Sequence, residues 1–242
     1  MENIVIYIAV SMTISAVLGK LAYHARVLTA GGSTAAFLMG TCIGTLGSPN
    51  WLVLIVAFAV IGFFVTSIGF SEKLKVGIQE GDHGERGFWN IIGVSLPPLI
   101  FAVIDFIWQD NGGIIAIAFV ASVAVAMADT AASELGVKDR NVWLITTFEK
   151  VPPGTNGGVS VRGTIISLIA ATVISTIGFI LTIGTIDIRV VIPIICGIAG
   201  CFLDSLIGAT LETDGTVNKY VNNCVTGILG GLIAIAFSLI IM

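Results

Sequence analysis

Charge is scarce in this 242-residue chain: Asp, Glu, Lys and Arg together make up 11% of it. A soluble domain carries about 25% charged residues, so a globular protein dissolved in water is excluded. Histidine occurs twice, at His24 and His83, too few for a histidine-rich metal centre, and no Ser-His-Asp arrangement suggests itself. The four cysteines (Cys42, Cys196, Cys201, Cys224) lie in apolar stretches. They have neither zinc spacing nor a disulfide framework and read as small core residues. A Walker A lysine motif is absent. The first residues, Met1, Glu2 and Asn3, lack the basic region of a signal peptide, so Ile4–Leu18 is expected to be a first membrane helix. The net charge of −4 says little about partners, because the charges sit in loops and at a few intramembrane positions. Nucleic acid is not an expected partner.

What fills the chain instead is hydrocarbon: 56% hydrophobic residues and a mean hydropathy of +1.03. A spanning helix needs about 20 mostly apolar residues. That criterion places spans near 3–20, 32–47, 51–71, 88–108, 113–135, 163–185, 189–211 and 219–241. The expected fold is therefore all-α, a polytopic bundle of about eight spans forming a single integral-membrane domain over residues 1–242. The second span is short and rich in Gly, Ser and Thr, consistent with a closely packed helix or a re-entrant piece. The fourth contains Pro97 and Pro98 and is expected to kink or break there.

Ten of the eleven Lys and Arg residues fall in odd-numbered connectors, Arg189 being the exception. By the positive-inside tendency those connectors face the cytoplasm, which puts both termini outside the cell membrane. The glycine-rich and polar runs fall on the same side. The densest is Phe148–Thr164, FEKVPPGTNGGVSVRGT. Pro152 and Pro153 forbid regular helix there, while Gly154, Gly157 and Gly158 permit tight turns and close backbone approach. Thr155, Asn156 and Ser160 add short polar side chains, and Lys150 and Arg162 bracket the run. Because helix follows at once, backbone N–H groups near Ser160 or Gly163 favour an anion. The whole reads as a phosphate cradle, against the plainer alternative of an interhelical loop punctuated by Pro and Gly.

Carboxylates accompany the cradle. Asp129 ends an unbroken apolar run, and Asp204 lies about two helical turns inside Glu212. Each is costly in a membrane unless paired, hydrated or bound to a cation. With Glu134 they are candidate ligands for Mg²⁺, whose shell phosphate and water would complete. Asp204, Gly208 and Glu212 form one stripe, and Asn218, Asn222 and Thr226 another. The third connector mixes Lys73, Lys75, Glu80, Asp82, His83, Glu85 and Arg86. Lys73, Lys75 and Arg86 are its candidates for an anion-binding face, whereas Asp105, Asp110 and Asp187 read as interfacial. Carboxylates, cations and a glycine loop are the parts of phosphoryl or nucleotidyl transfer. An ion-coupled transporter with Asp129 and Asp204 as ion ligands is the reading from another class. No internal repeat of the transporter kind is evident.

ADTAASELG, EKVPPGTNGGVSVRG and DSLIGATLE, in that order, resemble the integral-membrane family that contains plant phytyl-phosphate kinase. That family is similar, more distantly, to dolichol kinase and CDP-diglyceride synthetase. The resemblance runs from about Ala30 to the C-terminus, with the middle motif the most specific; the segment ETDGTVNKYVNN is only loosely similar. It implies a CTP-dependent, Mg²⁺-requiring kinase that converts a prenyl monophosphate into the diphosphate at the membrane. Its motif positions are Asp129, Glu134, Gly154, Thr155, Gly157, Gly158, Ser160 and Asp204. On this reading Lys150 and Arg162 are catalytic, and Asn156, Lys73, Arg86, Asn218 and Asn222 join the nucleotide and phosphate contacts. Cytidylyl transfer to a lipid phosphate uses the same parts, and a homodimer is left open.

Overall fold

The computed structural model describes residues 2–241 apart from Ile78, Glu80, Asp82, Asn111 and Gly112, and omits the side chains of Glu2, Asn3, Glu72 and Val76. Glu80 and Asp82 of the third connector therefore lie outside the described residues. Eight α-helices follow in order among those residues. They are α1 (Glu2–His24), α2 (Ala30–Leu46), α3 (Pro49–Val76), α4 (Phe88–Trp108), α5 (Ile114–Gly136), α6 (Val161–Thr182), α7 (Val191–Ile207) and α8 (Lys219–Ile241). Seven of the apolar segments are long enough to cross a membrane, α7 being extended for this purpose to Ile188–Glu212. The protein is a polytopic helical membrane protein.

The exception by length is α2, whose 17 residues span about 25 Å at 1.5 Å per residue. It is a continuous helix, not a broken one. Its glycines explain the unusual composition: Gly40 faces Ser15, and Gly44 faces Ser11, both on α1. Small residues at these contacts let the two backbones approach, which is how helices associate where no hydrophobic effect separates them from lipid. Of the kink or break expected in α4, the break is absent. Pro97 and Pro98 lie inside one helix, which runs on although the carbonyls four residues earlier lose their N–H donors. Pro97 is wedged against Gly227 of α8, so the neighbouring helix holds the turn in place.

α5 is the axis of the molecule. Its most apolar window is 83% buried, against at most 39% for any other span. It packs against α3, α4, α6, α7 and α8. The core along it is built from Phe119, Val120, Val123 and Met127, with Phe101 of α4 and Ile174 and Phe179 of α6 around them. A helix apolar all round its circumference can only be central. Asp129 and Glu134 therefore enter the protein interior by being carried on the innermost helix.

The first, third, fifth and seventh connectors gather on one face. Arg86 N donates to Val27 O at 2.9 Å and Thr29 N to Arg86 O at 3.1 Å, joining the first and third. Lys73 reaches Glu134 at the end of α5, and Gly93 near the start of α4 abuts the Tyr220 backbone of α8. On the opposite face Asp110 Oδ2 accepts from Ile115 N at 2.8 Å, and Asp187 pairs with Arg189 at 2.7 Å. These two acids serve as local caps and ion pairs.

Candidate functional site

The glycine-rich connector is not irregular. Val142–Leu144 forms β1, Lys150–Val151 forms β2 and Gly158–Val159 forms β3, in an antiparallel sheet of order β2-β1-β3. Val142 pairs with Val151, and Trp143 pairs with Lys150 on one side and Val159 on the other. Ser160 then caps α6: its Oγ accepts from Gly163 N at 3.0 Å, and its carbonyl accepts from Thr164 N at 2.9 Å. A serine N-cap of this kind satisfies a donor left free at a helix start.

The tip of the connector, Asn156–Gly157, is seated on protein. α7 continues into a π-helical segment, Gly208–Glu212, where the wider turn leaves a shallow seat. Gly157 (φ +76°) stands against the backbone and Cβ of Ala209, and Gly208 stands against Asn156 Oδ1. Gly158 is pressed on Val142 and the Thr155 carbonyl. The need for glycine at 157 and 158 thus has a cause inside the protein: positive φ at the first and close packing at both. Thr213 Oγ1 donates to Gly208 O at 2.8 Å, securing the π turn. Such turns within α-helices recur at functional sites.

Behind the sheet lies a cavity of about 380 Å³. The connector contributes Gly154, Thr155, Gly158 and Ser160, and α5 contributes Asp129 and Ser133. α7 and its π segment supply Ser205 and Glu212, and Lys73 and Lys219 bring positive charge from α3 and α8. The carboxyl groups of Asp129 and Asp204 lie within hydrogen-bonding reach of each other. The charges of Lys219, Lys73 and Arg86 act on Asp129, and those of Glu212 and Lys219 on Asp204. Asn222 ties the π segment to α8, its Nδ2 donating to Asp204 O at 3.1 Å and to Glu212 Oε2 at 3.2 Å.

Not every residue expected at the site is there. Glu134, expected beside Asp129 and Asp204, is buried elsewhere. Lys73 Nζ lies 3.1 Å from its Oε2 and Arg86 Nη2 3.5 Å from its Oε1. Among the described residues no three His, Cys, Asp or Glu side chains gather around one point. Lys150 and Arg162 are exposed and do not line the cavity. Lys150 Nζ donates to Asn141 Oδ1 at 2.8 Å. Arg162 stands beside Asp139, whose carboxyl is held below its usual range. The Asn141 backbone N–H is the largest cause, and the Arg162 backbone, the Ser160 hydroxyl and the Arg162 charge add to it. Asp139 and Ser160 thereby take up first-turn donors of α6 that were expected for a phosphate. Asn218 Oδ1 accepts from Tyr220 N and Val221 N, both at 3.0 Å, and so organises the start of α8. Lys219 and Ser205 are cavity residues that sequence reasoning did not select. The available signal was the place of Lys219 beside the asparagine stripe, as the sole cation of the seventh connector.

The model of the family described as integral membrane protein DUF92 matches residues 13–234. The chain belongs to that family. Within it, the chain is 32% identical over 231 residues to an uncharacterized membrane protein of Methanocaldococcus jannaschii, covering 93% of this chain and 92% of that one. An uncharacterized membrane protein of Synechocystis is 34% identical over 220 residues, with 87% and 82% covered. Protein VTE6, chloroplastic, of Arabidopsis thaliana is 32% identical over 217 residues, 86% of this chain and 64% of the plant protein. No solved structure matches the chain.

The donor set of this family member suits a small hard cation. Two carboxylates stand side by side, and Asp204 Oδ1 and Asn222 Oδ1 are buried oxygen acceptors with no hydrogen-bond partner. Buried acceptors are rarely left so. Mg²⁺ takes one or two carboxylates and completes its shell with water and phosphate oxygens, which this pair and its adjoining cavity can accommodate.

Proposed function

We propose that this protein is a CTP-dependent prenyl-phosphate kinase, converting a prenyl monophosphate into the diphosphate in the 380 Å³ cavity. The observation that carries the reading is the juxtaposition of the Asp129–Asp204 pair with Lys73, Lys219 and the Gly154–Ser160 connector. The motif resemblance to the family containing plant phytyl-phosphate kinase supports it.

The nucleotide phosphates lie along Gly154, Thr155, Gly158 and Ser160, with Lys73 and Lys219 offsetting their charge. Asp129, Asp204 and Asn222 Oδ1 would hold Mg²⁺, which when bound neutralises charge on the phosphates. The acceptor needs no general base, because its phosphate oxygen is already a nucleophile. That oxygen attacks the γ-phosphorus, the bond from this phosphorus to the β–γ bridging oxygen breaks, and CDP departs with the electron pair. Catalysis then rests on alignment and on electrostatic stabilisation. The concentration of Lys and Arg in the odd connectors supports a cytoplasmic orientation of this face at the cell membrane.

Purified protein incubated with Mg²⁺, geranylgeranyl phosphate and CTP labelled at the γ-position should yield labelled geranylgeranyl diphosphate and unlabelled CDP. Label appearing in pyrophosphate, with a cytidine diphosphate lipid, would instead establish cytidylyl transfer. Asp204→Asn should lower turnover by about 100-fold or more while the protein remains folded. Near-normal turnover of that variant would remove Asp204 from the site.

A further inference from the structure

A second cavity lies between α1, α2, α3 and α4, with a volume of about 350 Å³. Its walls are almost wholly hydrocarbon. Leu18, Ala25 and Leu28 close one side, Leu52 and Phe63 of α3 another, and Ile91 of α4 a third. Its hydroxyls belong to Ser15 and Ser95, and Ser95 Oγ already donates to Ile91 O. From Ala22 down to Ser15 the cavity follows α1 for seven residues, about 10 Å at 1.5 Å per residue. An apolar cavity of about 150 Å³ stays dry and takes up benzene. One more than twice that size, elongated and set in a membrane, suits a hydrocarbon chain.

Its upper end is what distinguishes it from an ordinary lipid-facing groove. The Arg86 backbone is paired to the Val27–Thr29 segment at that end. The Arg86 side chain donates to Thr66 Oγ1 at 3.1 Å and Asn90 Oδ1 at 3.3 Å, beside the lining residues Phe63 and Ile91. The same guanidinium reaches Glu134, Glu134 reaches Lys73, and Lys73 lines the polar cavity. A single run of three charged side chains therefore links the mouth of the apolar cavity to the wall of the polar one. Lys73 and Arg86 bring to this boundary the positive charge that an anionic headgroup needs.

We infer that the α1–α4 cavity holds the single isoprenoid tail of the lipid phosphate acceptor, with its phosphate crossing at Arg86 and Lys73 to the polar cavity. The inference rests on the proposed acceptor being a prenyl phosphate. It assigns chain recognition to the N-terminal helices α1 and α3, separate from the α5–α8 elements that carry the carboxylates. An ordinary two-chain phospholipid is not the assigned occupant.

Full-length protein in phosphatidylcholine nanodiscs would be irradiated with geranylgeranyl monophosphate carrying a terminal diazirine, and with phosphatidylcholine carrying the same group. The prenyl probe should label α1 and α3 peptides, and excess unlabelled geranylgeranyl phosphate should suppress that labelling at least about tenfold. Ala22→Phe and Ala59→Phe narrow the cavity. Each should lower the kcat/KM ratio of geranylgeranyl to dimethylallyl phosphate by about tenfold or more, the scale on which a misfitted apolar pocket discriminates. Labelling confined to α6 and α7 peptides would overturn the assignment. So would uncompeted labelling of α1 and α3 by both probes alike, the signature of bulk lipid. Competed labelling in a wild-type protein that phosphorylates no prenyl phosphate would refute the proposed reaction while sustaining the tail site.

Discussion

Replacing Glu134 by Gln distinguishes an ion-pair clamp from a metal ligand. The side chains of Lys73 and Glu134 are 10% and 7% exposed, with Arg86 against the other carboxylate oxygen. Glutamine keeps the shape but removes the negative charge that Lys73 and Arg86 share in a poorly solvated place. Breaking a buried pair by removing one partner costs about 3–5 kcal/mol. For a chain of this size each kcal/mol moves Tm by about 2–4 °C, so the variant should melt about 6–20 °C below the wild type. The assay is thermal unfolding in detergent, run with EDTA and again with Mg²⁺. The loss should be the same in both, and Lys73→Met combined with Glu134→Gln should recover part of it. A change under about 2 °C in EDTA, with a large loss appearing only in Mg²⁺, would refute the clamp and return Glu134 to the metal shell.

Three further outcomes follow from the same geometry. Gly157→Ala should lower Tm even without nucleotide, by about 1–3 kcal/mol for a disfavoured φ and overpacking on Ala209; unchanged melting with weakened CTP binding would instead mean that the tip contacts nucleotide. Because the Asp139 carboxyl is held below its ordinary value of 3.8, its contribution to stability is present above that value and lost as pH falls through the lower folded value. Asp139→Asn should therefore reduce stability at pH 6 and make less difference as the pH is taken down through that range, and an equal difference at both ends would remove the helix-start role. Single cysteines at His83 and Asn156, in a background lacking the four native cysteines, should be labelled by a membrane-impermeant reagent from one side only, with Ile186 labelled from the other. Opposite labelling of His83 and Asn156 would break the shared face of the odd connectors.

Much of this protein was legible in its sequence, for a plain physical reason. A bilayer offers no water to backbone groups, so an apolar run of sufficient length has to become a helix. The eight expected spans accordingly match the eight helices to within a few residues at most ends, including the short α2. The polar elements could be assigned to one face because their connectors alternate across the membrane. Asp129 and Asp204 stood out because an isolated carboxylate in hydrocarbon calls for a partner. Continuity through Pro97 and Pro98 was not legible, since it depends on α8 bracing the turn from outside. Nor was the small sheet, because strands of two or three residues have no periodicity to read and exist only through their pairing.

Partner choice belonged to the tertiary structure alone. Glu134 lies five residues beyond Asp129 on α5, about 500° around a helix of 3.6 residues per turn. The two carboxylates therefore project from different sides of the innermost helix. One meets Asp204 on α7, and the other meets the cations of α3 and the third connector. Asn156 and Gly157 likewise carry the composition of a phosphate loop, yet the π turn of α7 puts protein where a ligand was expected. Residue chemistry says what each side chain can bind. Which neighbour reaches it first is decided by the packing of helices far apart in the chain.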